Sequence, residues 1–384
     1  MPVASNAEIT VTRVNSNRDW REFFDLRRTI YADDPCVVFP LRQMERLQLD
    51  VDRHPFYEHA VREAWIARRN GEAVGRIVAV QDHMHNEHYS DQTGFFGFFE
   101  CIDDVSVAQA LLNEALKWLK ERGCDFVRGP VNPSMKGEFG VLVEGHDVPP
   151  SIMMGHTPAY YDSLLQQCGL EVAKEFFTFK FKVEDDFEDI GDKWDRMAEA
   201  EEKVMSRFPQ LKFRHMTLDN FAATVRDIGT LGNIVRAENY GFVPVTPAEL
   251  EFSIKQMKRI IRLDMIYAAY WDDQLVGFIV NLPDVNWALR KTVGKADWIR
   301  MPQLLYWLKR TPRCRVIMFG VHPEFRKKGI AILLIKKLTD VYNEYENWEF
   351  SWVVDDNLKS IRAIGRTMPL KKEKVYRLYE GPIT

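Results

Sequence analysis

The sequence predicts an α/β protein built from two copies of one mixed domain. Two hairpins match: AWIARRNGEAVGRIVA at 64–79 and IYAAYWDDQLVGFIVN at 266–281 each hold an apolar strand, a two-residue turn and a second strand through Val-Gly. Gly75 and Gly277 stand 202 residues apart (277 − 75 = 202), which means domain duplication rather than a solenoid. The elements flanking the two hairpins come in the same order. The composition, 46% apolar and 28% charged, is that of a globular protein of 384 residues, long enough for two domains.

In the first half, ITVTRV (9–14) reads as a strand, followed by helical stretches around 18–29 and 40–51 and then the hairpin. Asn70-Gly71 and Asp272-Asp273 suit tight turns because these residues tolerate positive φ. TGFFGFFEC (93–101) reads as a core strand, DVSVAQALLNEALKWLKERG (104–123) as a periodic helix closed by Gly123, and DFVRGPVN (125–132) as a further strand. The second half repeats this with LKFRHMT (211–217), helices near 219–236 and 247–262, the hairpin, and the strand CRVIMFGVHP (314–323). A helix to about 345, the strand WEFSWVVDDN (348–357), a helix over 357–367 and the terminal strand KVYRLYEG complete it. The acidic stretch VEDDFEDIGDKW (183–194) is expected as the linker, giving domains 1–183 and 184–384.

Several classes are disfavoured. A net charge of −4 and a pI near 6.2 argue against broad nucleic-acid binding. Cys36, Cys101, Cys124, Cys168 and Cys314 are scattered, odd in number and form no C-x-x-C pair, as in a reducing cytoplasm. MPVASNAEITVTRV lacks a charged start followed by an apolar run, so no signal peptide is expected, and no run approaches the ~18 apolar residues of a spanning helix. HMHNEH (83–88) has three histidines near metal spacing, but no fourth ligand is placed; it reads as a polar strand end, and no metal is expected. No G-x-x-x-x-G-K-[ST] occurs.

The stretch VHPEFRKKGIAILLIKKL (321–338) carries the chemistry. An apolar strand stops at Pro323, and Arg326, Lys327 and Lys328 follow on backbone leading into a helix. Gly329 and Ala331 are small enough to let amides approach an anion, which the helix dipole favours. Arg326 adds forked, charge-assisted hydrogen bonds. A cationic turn on an ordinary α/β domain is the plainer alternative. Arg326-Lys327-Lys328-Gly329-Ile330-Ala331, led in by Val321-x-Pro323-x-x-Arg326, resembles the R/Q-x-x-G-x-G/A loop of the GNAT superfamily of acyl-CoA-dependent N-acyltransferases. The element order resembles it too, and in the first half so does YYDSLLQQCGLE (160–171), a helix-to-strand domain ending.

The resemblance implies two GNAT-like domains in tandem, each a mixed, mostly antiparallel central sheet flanked by helices, with acyl-CoA as co-substrate. It implies that Phe319, Gly320, Val321, Arg326, Lys327, Lys328, Gly329, Ile330 and Ala331 bind the coenzyme. A free N–H around Gly320–Val321, where the strand splays, would polarise the thioester carbonyl, and Asn357 would hold the pantetheine or phosphate arm. The GPVNPS and PPSIMM…YY stretches further resemble two-domain bacterial proteins that include N-acyltransferases of the ceramide synthase type.

The first half departs where ECIDDVS (100–106) stands in the loop position. There is no Arg or Gln loop and no glycine pair. Glu100, Asp103 and Asp104 would cap a helix but repel pyrophosphate. The N-terminal domain is therefore expected to be a degenerate copy without a coenzyme A loop, either structural or shaping the acceptor pocket.

In the family the resemblance points to, an amine attacks the thioester directly. Many members carry a Tyr seven residues after the Asn; that position here is Ile364. Tyr376 or Tyr379 would substitute as acid, though terminal-strand tyrosines also serve packing. As base, Asp284 in NLPDVN ends the hairpin strand but also suits a turn, and Glu238 in AENYGF is the second choice. Asn132, Glu138, His156 and Tyr160, in the Gly- and Pro-rich stretch 129–161, would line an acceptor pocket between the halves or belong to a packed connection.

The stretch 285–313 alternates Trp287, Trp298, Leu304, Leu305, Tyr306 and Trp307 with cations, suiting a membrane interface, a greasy channel or a helix packed on the other domain. The expected activity is N-acylation of a small-molecule or lipid amine, possibilities including a long-chain amino-alcohol, in a cytoplasmic protein with peripheral membrane contact. The alternative is a non-catalytic acyl-CoA-binding sensor or scaffold. A transferase of the peptidoglycan type, taking aminoacyl-tRNA, is disfavoured by the acidic balance.

Overall fold

In the computed structural model, which describes residues 8–182, 187–257, 260–292, 294, 296–341, 344–354, 365 and 369–384, the chain forms two units. Unit 1 is Met1–Glu175 with Val375–Thr384, and unit 2 is Phe176–Lys374. This differs from a division at 183/184. Ladder hydrogen bonds give the physical reason, as the strand pairings below show.

Unit 1 begins with β1 (Ile9–Arg13), α1 (Asn17–Ile30) and α2 (Arg42–Gln48). Ser16 and Asp19 form a capping box that starts α1. The hairpin is β2 (Ala60–Arg69) and β3 (Glu72–Asp82); Asn70 at φ 54° and Gly71 at φ 82° make its turn, as the Asn-Gly pair predicts. α3 (His83–Tyr89) follows, so HMHNEH is helix, not strand end: Asp82 caps it by accepting from the amides of Met84 and His85. Then come β4 (Thr93–Cys101), buried at every position, and α4 (Val105–Lys120). DFVRGPVN divides into β5 (Phe126–Gly129) and β6 (Val131–Asn132), before β7 (Glu138–Phe139), β8 (Val141–Glu144) and α5 (Tyr161–Gln167).

β9 (Glu171–Lys182) leads to unit 2, with α6 (Phe187–Arg207), β10 (Leu211–His215), α7 (Phe221–Arg236) and α8 (Pro247–Met257). α6 takes in most of the stretch expected as linker. The second hairpin, β11 (Ile266–Trp271) and β12 (Gln274–Pro283), precedes α9 (Val285–Arg290), α10 (Asp297–Leu308) and β13 (Arg313–Val321). α11 (Ile330–Lys336) passes into a 3-10 turn over Lys337–Asp340, shorter than the helix to 345 expected. β14 (Asn347–Val354) and β15 (Lys371–Pro382) end the chain.

The two sheets have one plan. In unit 1, β1, β2, β3 and β4 are antiparallel neighbours, β4–β5 is parallel, and β5 pairs antiparallel with Phe126–Gly129 opposite Tyr379–Pro382 of β15. In unit 2, β10 to β13 are antiparallel, β13–β14 is parallel, and β14 pairs antiparallel with Phe176–Lys182 of β9. The strand completing each sheet thus comes from outside the stretch that sequence order assigns to that copy.

One face of unit 2's sheet buries Ile279, Val316, Val321 and Trp348 under α6 and α11; the other buries Phe278, Val280 and Ile266 against α7. Alternation along the strands sends neighbours to opposite faces. α6 is fastened to α11 by Glu201, which accepts from Lys336 and, at 3.0 Å, from Lys337. Partial burial pushes the Glu201 carboxyl up, but the two lysines outweigh it and hold it below its usual range. Its folded pKa is depressed, so its contribution is present above the unfolded carboxylate pKa and is lost as pH falls through the folded one. Glu201→Gln is expected to cost at most about 1 kcal/mol at pH 7, given solvent screening, and nothing measurable at pH 2 to 3. Thermal melts of both proteins across that range check it.

Candidate active site

Parallel pairing of β13 with β14 runs from Arg313–Asn347 to Val316–Phe350 and stops. β13 continues to Val321 against β12 alone. His322 donates its amide to Val276 O at 2.8 Å, so the His322–Val276 pair is the hydrogen-bonded kind. Alternation then gives Gly320 to β12 and turns the amides of Phe319 and Val321 toward the gap that β14 has left. The expectation of a free N–H around Gly320–Val321 therefore falls on Val321 and Phe319.

Past Val321 the chain makes a 3-10 turn over Pro323–Lys328 and reaches Gly329 at φ 82°, a left-handed conformation that starts α11. A Cβ at Gly329 would stand 2.7 Å from Val204 Cγ2 of α6, so close approach also demands glycine. No side chain caps α11, leaving the amides of its first turn open to an anion. Arg326 and Lys327 are exposed, and Arg326 Nε donates to Val321 O at 3.4 Å. Lys328 is placed differently: its ammonium lies 4.7 Å from the ring centre of Trp271, 5.1 Å from Phe208 and 5.8 Å from Phe325. It anchors the turn to an aromatic wall, an interaction worth on the order of 1 kcal/mol. Ile330 is buried, and Ala331 packs on the same core.

At the fork between the strands, on the α7 face, Arg315 and Glu349 are cross-strand partners 3.7 Å apart, both almost wholly buried. Ser351 bridges them, accepting from Arg315 Nε at 2.8 Å and donating to Glu349 Oε1 at 2.9 Å. The sequence reading missed these residues. A lone Arg in CRVIMFGV and a lone Glu in WEFSWVV are the signal that would have found them: a charge inside each of two apolar strands. α7 covers this face, since a Cβ at Gly320 would meet Val235 Cγ2 at 2.6 Å.

The remaining candidates separate. Glu238 is exposed just beyond α7, toward the loop end of the sheet. Asp284 is wholly buried at the other end, accepting from Asn286 N at 3.1 Å as the cap of α9 and pairing with Arg313 at 3.3 Å. Seven strand residues separate Arg313 from Gly320, on the order of 20 Å, so the residue expected to border the acceptor is a helix cap instead. Tyr376 and Tyr379 belong to unit 1, buried, with hydroxyls on Gly155 O at 2.9 Å and on Asp162. Both are fully buried within that unit. Asn357 and Ile364 lie outside the described residues.

The four expected acceptor residues all fall in unit 1, around the free end of β4. β4–β5 pairing stops at Phe95–Arg128, the same fork as in unit 2. Here the gap is filled. Asn132 Oδ1 accepts from Phe98 N at 2.6 Å, and a Cβ at Gly97 would stand 1.6 Å from Val131 O. Tyr160 donates to Cys101 O at 2.7 Å; His156, buried, bonds Asp34 at 2.7 Å and accepts through its carbonyl from Tyr31 at 3.1 Å. Glu138 acts on half-buried Arg27, which lies 3.5 Å from Glu100. Asp104 Oδ1 accepts from Ser106 N at 2.8 Å and Val107 N at 3.4 Å, so a carboxylate occupies the α4 N-terminus. Glu100, expected beside it, is buried and accepts from Tyr161 at 2.9 Å.

In the 285–313 stretch, Trp287 of α9 packs on Trp307 of α10 at 6.1 Å and Leu304 is buried, while Trp298, Leu305 and Tyr306 form an exposed face. Among the described residues no helix is long and apolar enough to cross a membrane.

The tight fit of Val131 on Gly97 makes a test. Gly97→Ala is expected to lose about 3 kcal/mol or more, because backbone rather than a flexible side chain must move; denaturant unfolding checks it.

The acetyltransferase (GNAT) family model matches residues 235–368, which take in α7's last turn, the fork and the glycine turn. Over its whole length the chain is similar to protein YghO of Escherichia coli K12, 31% identical over 97% of this chain and 95% of that one. It is similar to the bacterial ceramide synthase of Caulobacter vibrioides, 28% identical over 98% of each. Among solved structures, a tandem GNAT protein from the clavulanic acid biosynthesis pathway shares the fold, with a TM-score of 0.56 at 11% identity, covering 98% of this chain and 99% of that one. A GCN5-related N-acetyltransferase from Anabaena variabilis aligns with a TM-score of 0.50 at 9% identity, over 98% of this chain and 73% of that one. The forked strands, the uncapped glycine turn and full-length similarity agree: the chain belongs to the GNAT acetyltransferase family, as a member with two such units in tandem.

Proposed function

We propose that this protein transfers an acyl group from acyl-CoA to the nitrogen of an amine acceptor, and that unit 2 does the chemistry. The observation that carries this is the meeting, at one end of unit 2's sheet, of an uncapped glycine turn with a strand pair that parts just before it. Acyl-CoA supplies an activated thioester. Arg326, Lys327 and the amides of Gly329, Ile330 and Ala331 hold its phosphates, and Asn357 takes its arm. Lys328 keeps the turn in place from its aromatic wall. The amides of Phe319 and Val321 receive negative charge as it develops on the carbonyl oxygen, a role worth a few kcal/mol where donors are fixed in advance. Glu238, exposed just beyond α7, is the carboxylate that takes the ammonium proton, directly or through water, while Glu349 stays paired with Arg315 on the α7 face.

Unit 1 is the copy without coenzyme A. What supports this is Asp104 on the α4 amides and the Val131–Asn132 segment in the fork. Asp284, Tyr376 and Tyr379 serve structure. The acceptor is a long-chain amino-alcohol, a reading that rests on similarity to a protein named a ceramide synthase and on the exposed Trp298–Leu305–Tyr306 face, which suits peripheral contact with a bilayer. A non-catalytic acyl-CoA sensor is the second reading, favoured by Ile364 where many members hold Tyr.

Purified protein with palmitoyl-CoA and sphinganine is expected to release free thiol and form an amide. Thiol release with small polar amines and none with sphinganine would remove the long-chain acceptor. Coenzyme A binding without turnover of any amine would select the sensor. Arg326→Glu is expected to weaken coenzyme A binding at least tenfold, about 1.4 kcal/mol, with an unchanged melting temperature, since the side chain is exposed; calorimetric titration reads it.

A further inference from the structure

Arg236 closes α7 and folds back one turn along it, donating from Nε to Gly232 O at 3.0 Å. A Cβ at Gly232 would lie 3.3 Å from Arg236 Nη2 and 3.3 Å from Met318 Cε. The absent side chain at 232 is thus the socket that seats the guanidinium against β13. Met318 sits on the part of β13 that β14 has left. From the loop after α7, Phe242 sets its ring 5.9 Å from the guanidinium carbon. That loop is itself pinned: Asn233 donates to Val245 O at 3.3 Å and accepts from Val245 N at 3.0 Å, and Phe242 N bonds Asn239 O at 3.1 Å.

The guanidinium is held, yet among the described residues it has no counter-ion. Among the described residues no carboxylate lies within ion-pair reach of Arg236, and the bond to Gly232 is its one hydrogen bond. Neighbouring arginines of the unit differ: Arg315 pairs with Glu349, Arg313 with Asp284, and Arg262 with Asp264 and Glu344. Burial pulls the Arg236 pKa down with no acidic group to offset it. A cation half withdrawn from water without an acidic partner is unfavourable, and such groups gather where a ligand brings the missing charge.

We propose that Arg236 binds an anionic group, carboxylate or phosphate, carried by the amine acceptor close to its reacting nitrogen. This rests on the reading of unit 2 as the acyl-transfer unit. The phosphates of coenzyme A are assigned to the Arg326–Ala331 turn, and α11 packs on the face opposite α7, so the anion met by Arg236 is a different one. Met318 is one and three residues from the two amides turned into the gap, roughly 3 to 10 Å along the strand. Amine and anion are therefore only a few bonds apart on the acceptor. A fork-shaped, always-charged donor suits either anion, and a lysine would match it less well.

The test compares three acceptors of matched chain length with palmitoyl-CoA: a long-chain 2-amino-alcohol, its phosphate ester and the corresponding 2-amino acid. Coenzyme A binding is measured separately by calorimetry. The wild type is expected to show at least a tenfold lower KM for the phosphate or the carboxylate than for the neutral alcohol, and whichever it prefers names the anion. Arg236→Gln is expected to abolish that preference through KM rather than kcat, with Arg236→Lys retaining part of it. Gly232→Ala fills the socket and is expected to raise KM for the anionic acceptor; because Ala is the better helix former, a lower melting temperature is not its cause. Equal or better use of the neutral alcohol, a preference that survives Arg236→Gln, or turnover of none of the three while coenzyme A binds would each overturn the proposal. Failure to bind coenzyme A would overturn the reading of unit 2 and this inference with it.

Discussion

The parting of β13 from β14 after Val316–Phe350 is the constraint on which the rest of unit 2 depends. A strand with a neighbour on each side has the hydrogen-bonding groups of both its edges satisfied. Where one strand leaves, the other keeps amides that only another group can satisfy, and the hydrogen-bond cost of leaving them unmet is high. The turn that follows repeats the theme on a helix end, since α11 begins without a side-chain cap. Among the described residues, donors of two kinds on consecutive stretches of chain, strand amides and helix-start amides, lack a side-chain acceptor and together suit oxygen atoms of a ligand. The buried Arg315–Ser351–Glu349 network holds the fork at its base, where the strands still pair.

Unit 1 shows the same fork with the donors met internally. Asn132 takes the Phe98 amide, and Asp104 takes the first amides of α4. The equivalent positions have also exchanged chemistry. Phe278 opposite Gly320 in unit 2 corresponds in register to Arg76 opposite Glu100 in unit 1, and where α7 presents Val235 to Gly320, α1 presents Arg27 to Glu100. In unit 2 apolar Phe278 and Val235 face Gly320, with the Arg315–Ser351–Glu349 network nearer the base of the fork. The other closes it with buried ions and hydroxyls, including Tyr31 and Tyr161, whose pKa values burial raises. Buried ion pairs add little net stability but are costly to break.

Much of this was legible in the chain. The matching hairpins showed duplication because strand period and turn chemistry are local. The Arg326–Ala331 turn could be read because glycine, small residues and cations at fixed offsets have a local backbone meaning. The absence of such a turn at ECIDDVS was equally plain. Illegible residues are those whose role is set by what faces them. Asp284 reads as a carboxylate at a strand end, and only the structure shows it capping α9. His156, Glu138 and Asn132 read as pocket polar groups, and only packing reveals that Asn132 takes an amide of β4, His156 bonds Asp34 and Glu138 acts on Arg27. Lys328 is one of three equal cations in sequence; the rings of Phe208, Trp271 and Phe325 that separate it from the others come from three different elements.

The sequence by itself determined most of the elements, their order, the duplication and the one copy with a glycine turn after three cations, because each is written in spacings of a few residues. Tertiary structure decided which strand completes each sheet, which fork is filled from within its own unit, and which half-buried arginine has no acidic partner among the described residues. These outcomes depend on groups tens or hundreds of residues apart, such as Gly129 beside Tyr379 or Arg236 beside Met318. No local pattern reports whether a distant chain segment has already satisfied an amide or a charge.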